Sequence, residues 1–193
     1  MICSWGSRVA RLTALPGLLA ASLAGCTPGA NLPTLSAYDP HDYRLGQDDQ
    51  IRVITYGEAQ LSANFRVNDH GTVAVPLLGD LQAAGLTTTD FAAEMMSVLR
   101  EKKLLLHPSV SVEIAAYRPI AILGEVSKPG QYPYQPTMTM LTAVAAAGGF
   151  TYRAVEMYAY VVRQEGDRAV VGRLLPQSYV KPGDVIKVYE RHF

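Results

Sequence analysis

Hydrophobic and polar residues alternate in short runs from residue 43 onward, with the period of half-buried β-strands. In the first half of the chain these runs predict strands at 51–56, 65–67, 72–77 and 110–114. The first of them is read from Ile51, Val53 and Tyr56. The tetrapeptide 68–71, Asn-Asp-His-Gly, predicts a hairpin between the second and third strands, with Gly71 free to take a positive φ.

One segment has the 3.6-residue period of an amphipathic helix, and it runs from Thr87 to Lys103. Phe91, Met95 and Leu99 fall on one apolar stripe. Thr87 is the predicted N-cap, and an aspartate three residues later completes a variant of the capping box. The sequence therefore predicts one long helix between the strands at 72–77 and 110–114.

A second unit of strands and one short helix is predicted from residue 117 onward. Its strands are predicted at 120–126, 158–163, 169–175 and 185–189. Either Thr137 or Thr139 caps the short helix, which runs through Ala147 and ends at Gly148 and Gly149. Few helices among many short strands predict an α+β fold.

The first 25 residues have the pattern of a bacterial lipoprotein signal peptide. Arg8 and Arg11 precede an uncharged apolar stretch, Leu12–Leu23, which is too short to span a bilayer. Residues 23–26, Leu-Ala-Gly-Cys, resemble the lipobox, where a peptidase cuts before the cysteine and the cysteine carries lipid. An ordinary secretory signal with a chance cysteine is the alternative. We expect residues 1–25 to be removed and Cys26 to be lipidated.

The segment 26–42 is rich in proline and glycine and predicts a flexible tether between the lipid and the first strand. Thr27 follows the cysteine, at a position where aspartate commonly retains Gram-negative lipoproteins in the inner membrane. By this resemblance the sequence favours the periplasmic face of the outer membrane.

Composition excludes several classes of function. Lys+Arg 17 balance Asp+Glu 17, and this zero net charge argues against a nucleic-acid partner. Hydrophobic residues make up 49% and charged residues 18%, which is typical of a globular chain. Once Cys3 leaves with the signal peptide and Cys26 is modified, no cysteine remains for a disulfide, a thiol nucleophile or a metal site.

The residues that commonly carry catalysis or bind metals form no recognised motif here. The four histidines have no metal-ligand spacing, and the chain has neither a nucleophile elbow nor a P-loop. An acidic cluster lacks the spacing of a calcium loop, so its members are interpreted as turn caps: Asp39, Asp42, Asp48 and Asp49. We predict no enzyme, cofactor or metal. A convergent pair of carboxylates stays open, because only separation in space defines it.

Two further patterns have ordinary interpretations. Six of the 11 tyrosines lie between Tyr117 and Tyr160; aromatic faces suit sugar rings, but packing or an interface is favoured. The pentapeptides 49–53 and 184–188 both read Asp-x-Ile-basic-Val, which we interpret as the common sequence of a turn followed by a strand.

Four stretches of the first unit carry recognisable motifs: 43–53 (YRLGQDDQIRV), 67–73 (VNDHGTV), 76–79 (PLLG) and 83–87 (AAGLT). They resemble the export domain of the Wza/GumB-type polysaccharide export lipoproteins, whose pattern is roughly Y-x-L-G-x-G-D, D-G-x-I, P-L-x-G and A-G-x-T. The resemblance marks six residues as structural: Gly46, Asp49, Gly71, Pro76, Gly79 and Gly85. Asp48 stands where the family usually has glycine, and His70 is an insertion.

The second unit carries the stretches 124–126, 128–132, 139–141 and 147–151. They resemble the soluble-ligand-binding β-grasp (SLBB) module, and five residues match its motifs: Gly124, Pro129, Gly130, Gly148 and Gly149. The resemblance implies an α+β protein in which a small mixed-sheet export domain precedes a β-grasp-like domain. Its expected parts are a signal peptide at 1–25, a tether at 26–42, the export domain at 43–116 and the SLBB domain at 117–193.

The family resemblance implies a non-enzymatic component of exopolysaccharide or capsule export across the periplasm and outer membrane. The implied partners are further copies of the chain in a ring, an inner-membrane polysaccharide copolymerase and the exported polymer. Longer relatives form the pore with a C-terminal amphipathic helix, whereas this sequence stops at Phe193, so we expect a separate outer-membrane porin. The alternative is a monomeric periplasmic glycan-binding module that uses the tyrosine-rich second unit.

Overall fold

Two hydrophobic cores organise the chain, and each is built from one half of the sequence. The computed structural model describes residues 28–166 and 168–191. The predicted signal peptide and Cys26 lie outside the described residues. None of the helices within these ranges is long and apolar enough to cross a membrane.

The first unit consists of one antiparallel sheet, one hairpin and one long helix. Its elements are β1 (Gln50–Thr55), β2 (Ala63–Arg66), β3 (Thr72–Val75), β4 (Gly79–Gln82), α1 (Thr88–Glu101) and β5 (Val110–Ala116). β1 lies between β2 and β5, and β3 pairs only with β4 among the described strands. The predicted stripe of α1, Phe91, Met95 and Leu99, is fully buried in this core. Thr87 and Asp90 form the predicted capping box.

The structure corrects two details of the first unit. The turn at 68–71 forms, with Gly71 at φ 77°, but the strands on either side of it lie in different sheets. The third inward residue of β1 is Thr55 and not Tyr56, whose side chain is 85% exposed. Alternate residues of a strand share a face, so Ile51, Val53 and Thr55 point inward together.

The second unit consists of a five-stranded sheet and a short helix. Its elements are β6 (Ile120–Gly124), β7 (Gly130–Tyr132), α2 (Met140–Ala146), β8 (Ala159–Glu165), β9 (Arg168–Leu174) and β10 (Val185–Val188). The strand order is β7-β6-β10-β8-β9, with β6 and β10 parallel and the other pairs antiparallel. The mixed sheet therefore belongs to this unit, and the first unit is antiparallel. Thr139 caps α2, whereas Thr137 lies two residues earlier at φ 63°.

The predicted tether, 26–42, is described from residue 28, and residues 28–35 form hydrogen bonds with the second unit. The N–H of Leu35 donates to the carbonyl of Arg173, and the N–H of Arg173 donates to the carbonyl of Pro33. The Tyr158 hydroxyl reaches the carbonyl of Pro28 at 2.8 Å. The edge of β9 offers unpaired backbone groups, and the segment satisfies part of that edge.

Gly124 lies close against the backbone of β10, and we expect its substitution by alanine to be costly. Its φ is 85°, and an added Cβ would overlap the carbonyl oxygen of Val188 on β10. Gly85 has φ 87° but open space around the same position, so it is the matched control. Gly85→Ala is expected to cost about 1 kcal/mol from backbone strain, and Gly124→Ala about 2 kcal/mol from strain plus overlap. Guanidinium unfolding followed by circular dichroism measures both costs. Equal costs would show that the close approach of Gly124 to Val188 adds nothing to the backbone strain.

Candidate functional site

Asp49 is fully buried where the two units meet, and its carboxylate accepts three hydrogen bonds. The donors are the Tyr43 hydroxyl at 2.5 Å, the Gly46 N–H at 2.8 Å and the Arg118 N–H at 2.9 Å. The first two belong to the motif of the first unit, and Arg118 stands at the entrance to the second. A single carboxylate thus stabilises the turn before β1 and, through the Arg118 N–H, holds the start of the second unit against the first.

Asp184 plays the equivalent part in the second unit, which gives the repeated pentapeptide a shared local geometry. The carboxylate of Asp184 is buried and accepts the Lys181 N–H at 2.8 Å, three residues earlier, as Asp49 accepts that of Gly46. It also pairs with the buried guanidinium of Arg163 through bonds of 3.0 and 2.7 Å. The repeat is therefore more than a common turn-and-strand sequence.

The side chain of Arg118 lies between these two turns. An added Cβ at Gly46 or at Gly183 would press on its guanidinium or on its Nε and Cδ atoms. Its Nε–H donates to the carbonyl of Pro182 at 2.9 Å. Gly46 has an ordinary backbone conformation, so its lack of a side chain serves the close approach of Arg118.

A row of tyrosines covers one side of the junction. Tyr43, Tyr117 and Tyr134 make edge-to-face contacts, with ring centroids 5.0 and 5.2 Å apart. Burial raises the pKa of Tyr43, and the nearby Asp49 carboxylate raises it further, so the phenol stays protonated and donates. Burial also raises the pKa of Tyr134 to about 12. The ring of Tyr38 lies under the cations of Arg163 and Lys181 at 5.8 and 5.9 Å.

A polar cleft of about 520 Å³ opens beside this junction, between the two units. Its basic and titratable lining residues are Arg44, His70, Arg118 and Lys181. None of its described lining residues is an aspartate or a glutamate. Burial lowers the pKa of Lys181, the neighbouring cations Arg118 and Arg163 lower it further, and Asp184 and Glu165 act in the opposite direction.

Three stretches of the first unit that carry motifs converge on the cleft. Gly46, Gly71 and Gly85 all line it. The N–H of Gly85 donates to the carbonyl of Leu45, and the N–H of Ala84 donates to that of Gly71. Pro76 and Gly79 lie apart from the cleft, in and after the turn from β3 to β4.

None of the five motif residues of the second unit is among the described residues that line the cleft. Pro129 directly precedes β7 and Gly130 is its first residue, while Gly148 and Gly149 follow α2 at φ 84° and 88°. The N–H of Lys128 donates to the carbonyl of Ala147 at 2.8 Å, which joins the stretches 128–132 and 147–151. These residues shape the β-grasp-like unit and leave the chemistry of the cleft to other side chains.

Sequence reasoning missed most of the charged residues of this site: Arg44, Arg118, Arg163, Lys181 and Asp184. The repeated pentapeptide was the signal that pointed to Asp184. In the acidic cluster, Asp39 caps a turn by accepting the His41 N–H, which matches its interpretation, and Asp49 holds the junction. No group of acids, histidines or cysteines in residues 28–166 and 168–191 is arranged to hold a metal ion.

Comparison with known proteins places both units in described families. Residues 37–115 match the family described as polysaccharide biosynthesis/export protein, and residues 119–173 match the SLBB domain. The chain is 38% identical over 158 residues to the exopolysaccharide production protein ExoF of Rhizobium meliloti (strain 1021). The alignment covers 76% of this chain and 35% of that relative, so the chain spans about a third of the relative's length.

Proposed function

We propose that the chain takes part in polysaccharide export, because residues 37–115 match the polysaccharide biosynthesis/export family and residues 119–173 match the SLBB domain. The observation that carries the proposal is the succession of the two domains in one chain. The name of the similar ExoF protein, which refers to exopolysaccharide production, supports the same function. The export role is non-enzymatic in this proposal.

In the finer form of the proposal the protein is a lipid-anchored, ring-forming conduit at the periplasmic face of the outer membrane. Cys26 supplies the anchor, and the domains are divided between residues 116 and 117. An inner-membrane copolymerase and a separate outer-membrane porin are the proposed partners. The outer edges of β2 and β5 pair with no other described strand, so neighbouring copies could add to the sheet there.

The experiment that tests the export function is deletion of the gene, followed by separate measurement of surface polymer and of its cytoplasmic and membrane-bound precursors. We expect surface polymer to disappear while precursors persist, because synthesis continues without an exit. The Cys26→Ala variant is expected to restore export only in part. The full chain extracted in detergent should have the mass of an oligomer.

Polymer that still reaches the surface in normal amount, with changed length or retention, would exclude the conduit. Together with a monomeric mass in detergent, that result would favour the glycan-binding module. Loss of precursors as well as polymer would instead place the protein in synthesis. The three outcomes separate the conduit from its rivals in a single strain.

A further inference from the structure

We propose that the cleft between the two domains binds the carboxylate of an acidic sugar residue, which assigns the exported polymer to the acidic polysaccharides. This inference rests on the proposed export function. Three cations border the cleft, Arg44, Arg118 and Lys181, and none of its described lining residues carries an acidic group. Its volume of about 520 Å³ lies in the range of small-ligand sites and accommodates sugar units.

The two terminal guanidinium nitrogens of Arg118 are the central donors of the proposed site. Its Nε–H is used by the carbonyl of Pro182, and its backbone N–H by Asp49. No hydrogen bond or ion pair within the described residues uses the two terminal nitrogens. The glycines at 46 and 183 hold the guanidinium close to the backbone on both sides. The group is thus fixed in place with one terminal nitrogen packed on Gly46, and its planar shape is the one that pairs with carboxylates.

Lys181 and Arg44 lie beside the Arg118 guanidinium, and their own hydrogen bonds and ion pairs are long or exposed to solvent. Among the described residues the Lys181 ammonium donates one hydrogen bond, to the carbonyl of Gln164 at 3.5 Å, and it lies 5.9 Å from the centre of the Tyr38 ring. Arg44 donates to the carbonyl of Gly85 and pairs with exposed Asp42 at 3.4 Å. Glu165 and Asp184 attract the Lys181 charge, but burial and the two nearby arginines outweigh them in lowering its pKa. An incoming anion would relieve that repulsion.

Three glutamines around the cleft favour a sugar over a simple anion. Each amide nitrogen donates to a backbone carbonyl: Gln47 to Asp69, Gln82 to Ala84 and Gln164 to Gly166. These bonds set the orientation of the side chains. None of the hydrogen bonds among the described residues uses the three amide oxygens, so they are free to accept sugar hydroxyls.

The test measures binding of trigalacturonate, maltotriose and inorganic phosphate to the full chain in detergent, by titration calorimetry at low ionic strength. Trigalacturonate is expected to bind at least about tenfold more tightly than neutral maltotriose and than phosphate. Lys181→Gln and Arg44→Gln are each expected to weaken trigalacturonate binding about tenfold. Arg100→Gln, at the exposed end of α1 and outside the cleft, is the matched control and should leave binding unchanged.

Equal affinity for trigalacturonate and maltotriose would overturn the proposal. Phosphate binding as tightly as trigalacturonate would show a general anion site in its place. An equal loss of trigalacturonate binding in Arg100→Gln would show that binding depends on the overall surface charge and not on the cleft. A cell without the gene that still exports polymer would refute the export function but leave this binding result standing, so the two failures are distinguishable. Unchanged thermal unfolding of Lys181→Gln separates lost binding from lost structure.

Discussion

Asp49→Asn is expected to lower the free energy of unfolding by about 3 kcal/mol, because each partner of the buried carboxylate is a donor. Asparagine has nearly the same shape but replaces one oxygen with an NH₂ group. In one orientation that group faces the Arg118 N–H, and in the other it faces the Gly46 N–H beside the Tyr43 hydroxyl, so in both it meets a buried backbone donor. The charge that strengthens the remaining bonds is lost as well.

Guanidinium unfolding followed by circular dichroism measures this effect, and Asp48→Asn is its control. Asp48 is the neighbouring residue, but its side chain is exposed and pairs with Arg66 at 3.4 Å. Its positive φ of 69° suits asparagine as well as aspartate. The control should change stability by less than about 0.5 kcal/mol. Equal losses in the two variants would mean that the junction does not depend on the buried carboxylate.

Asp184→Asn is expected to cost more, about 4 kcal/mol, because it leaves a buried guanidinium without its counter-charge. The side chains of Arg163 and Asp184 are 3% and 1% exposed. The same carboxylate also accepts the Lys181 N–H, so the turn before β10 loses a cap in the same substitution. Chemical unfolding again gives the measurement.

Glu190→Gln is the matched control for the ion pair of the second domain. Glu190 pairs with Arg153, and both side chains are more than a third exposed, at 38% and 49%. Solvent screens such a pair, so the expected loss is at most about 1 kcal/mol. A loss in Asp184→Asn no larger than in this control would refute the structural role of the buried pair.

Both acids connect stability to the proposed ligand site. Asp49 fixes the backbone of Arg118, while Asp184 fixes that of Lys181 and neutralises Arg163. The two turns therefore set the positions of the cleft cations, and the acids themselves stay buried. No described lining residue of the cleft is an acid, and the acids that act on its cations, Asp42 on Arg44 and both Glu165 and Asp184 on Lys181, lie outside the lining.

The sequence alone determined the elements whose signals are local. The α1 stripe follows the helical period, and its capping box needs only Thr87 and Asp90. Strand β5 was found because alternation over a few residues suffices to predict a half-buried strand. The α+β class was predicted from the elements along the chain, and the resemblance to the two families from the order of the local motifs.

Tertiary structure alone decided which distant residues meet. Pairing of β3 with β4 and not β2, packing of residues 33–35 on β9, and the parallel neighbours β6 and β10 are choices between segments with similar local patterns. The cleft assembles Arg44, Arg118 and Lys181 from three separate parts of the chain. A local sequence pattern cannot predict that these three residues lie together. Their positions depend on how the two units pack and on the buried acids that hold the turns between them.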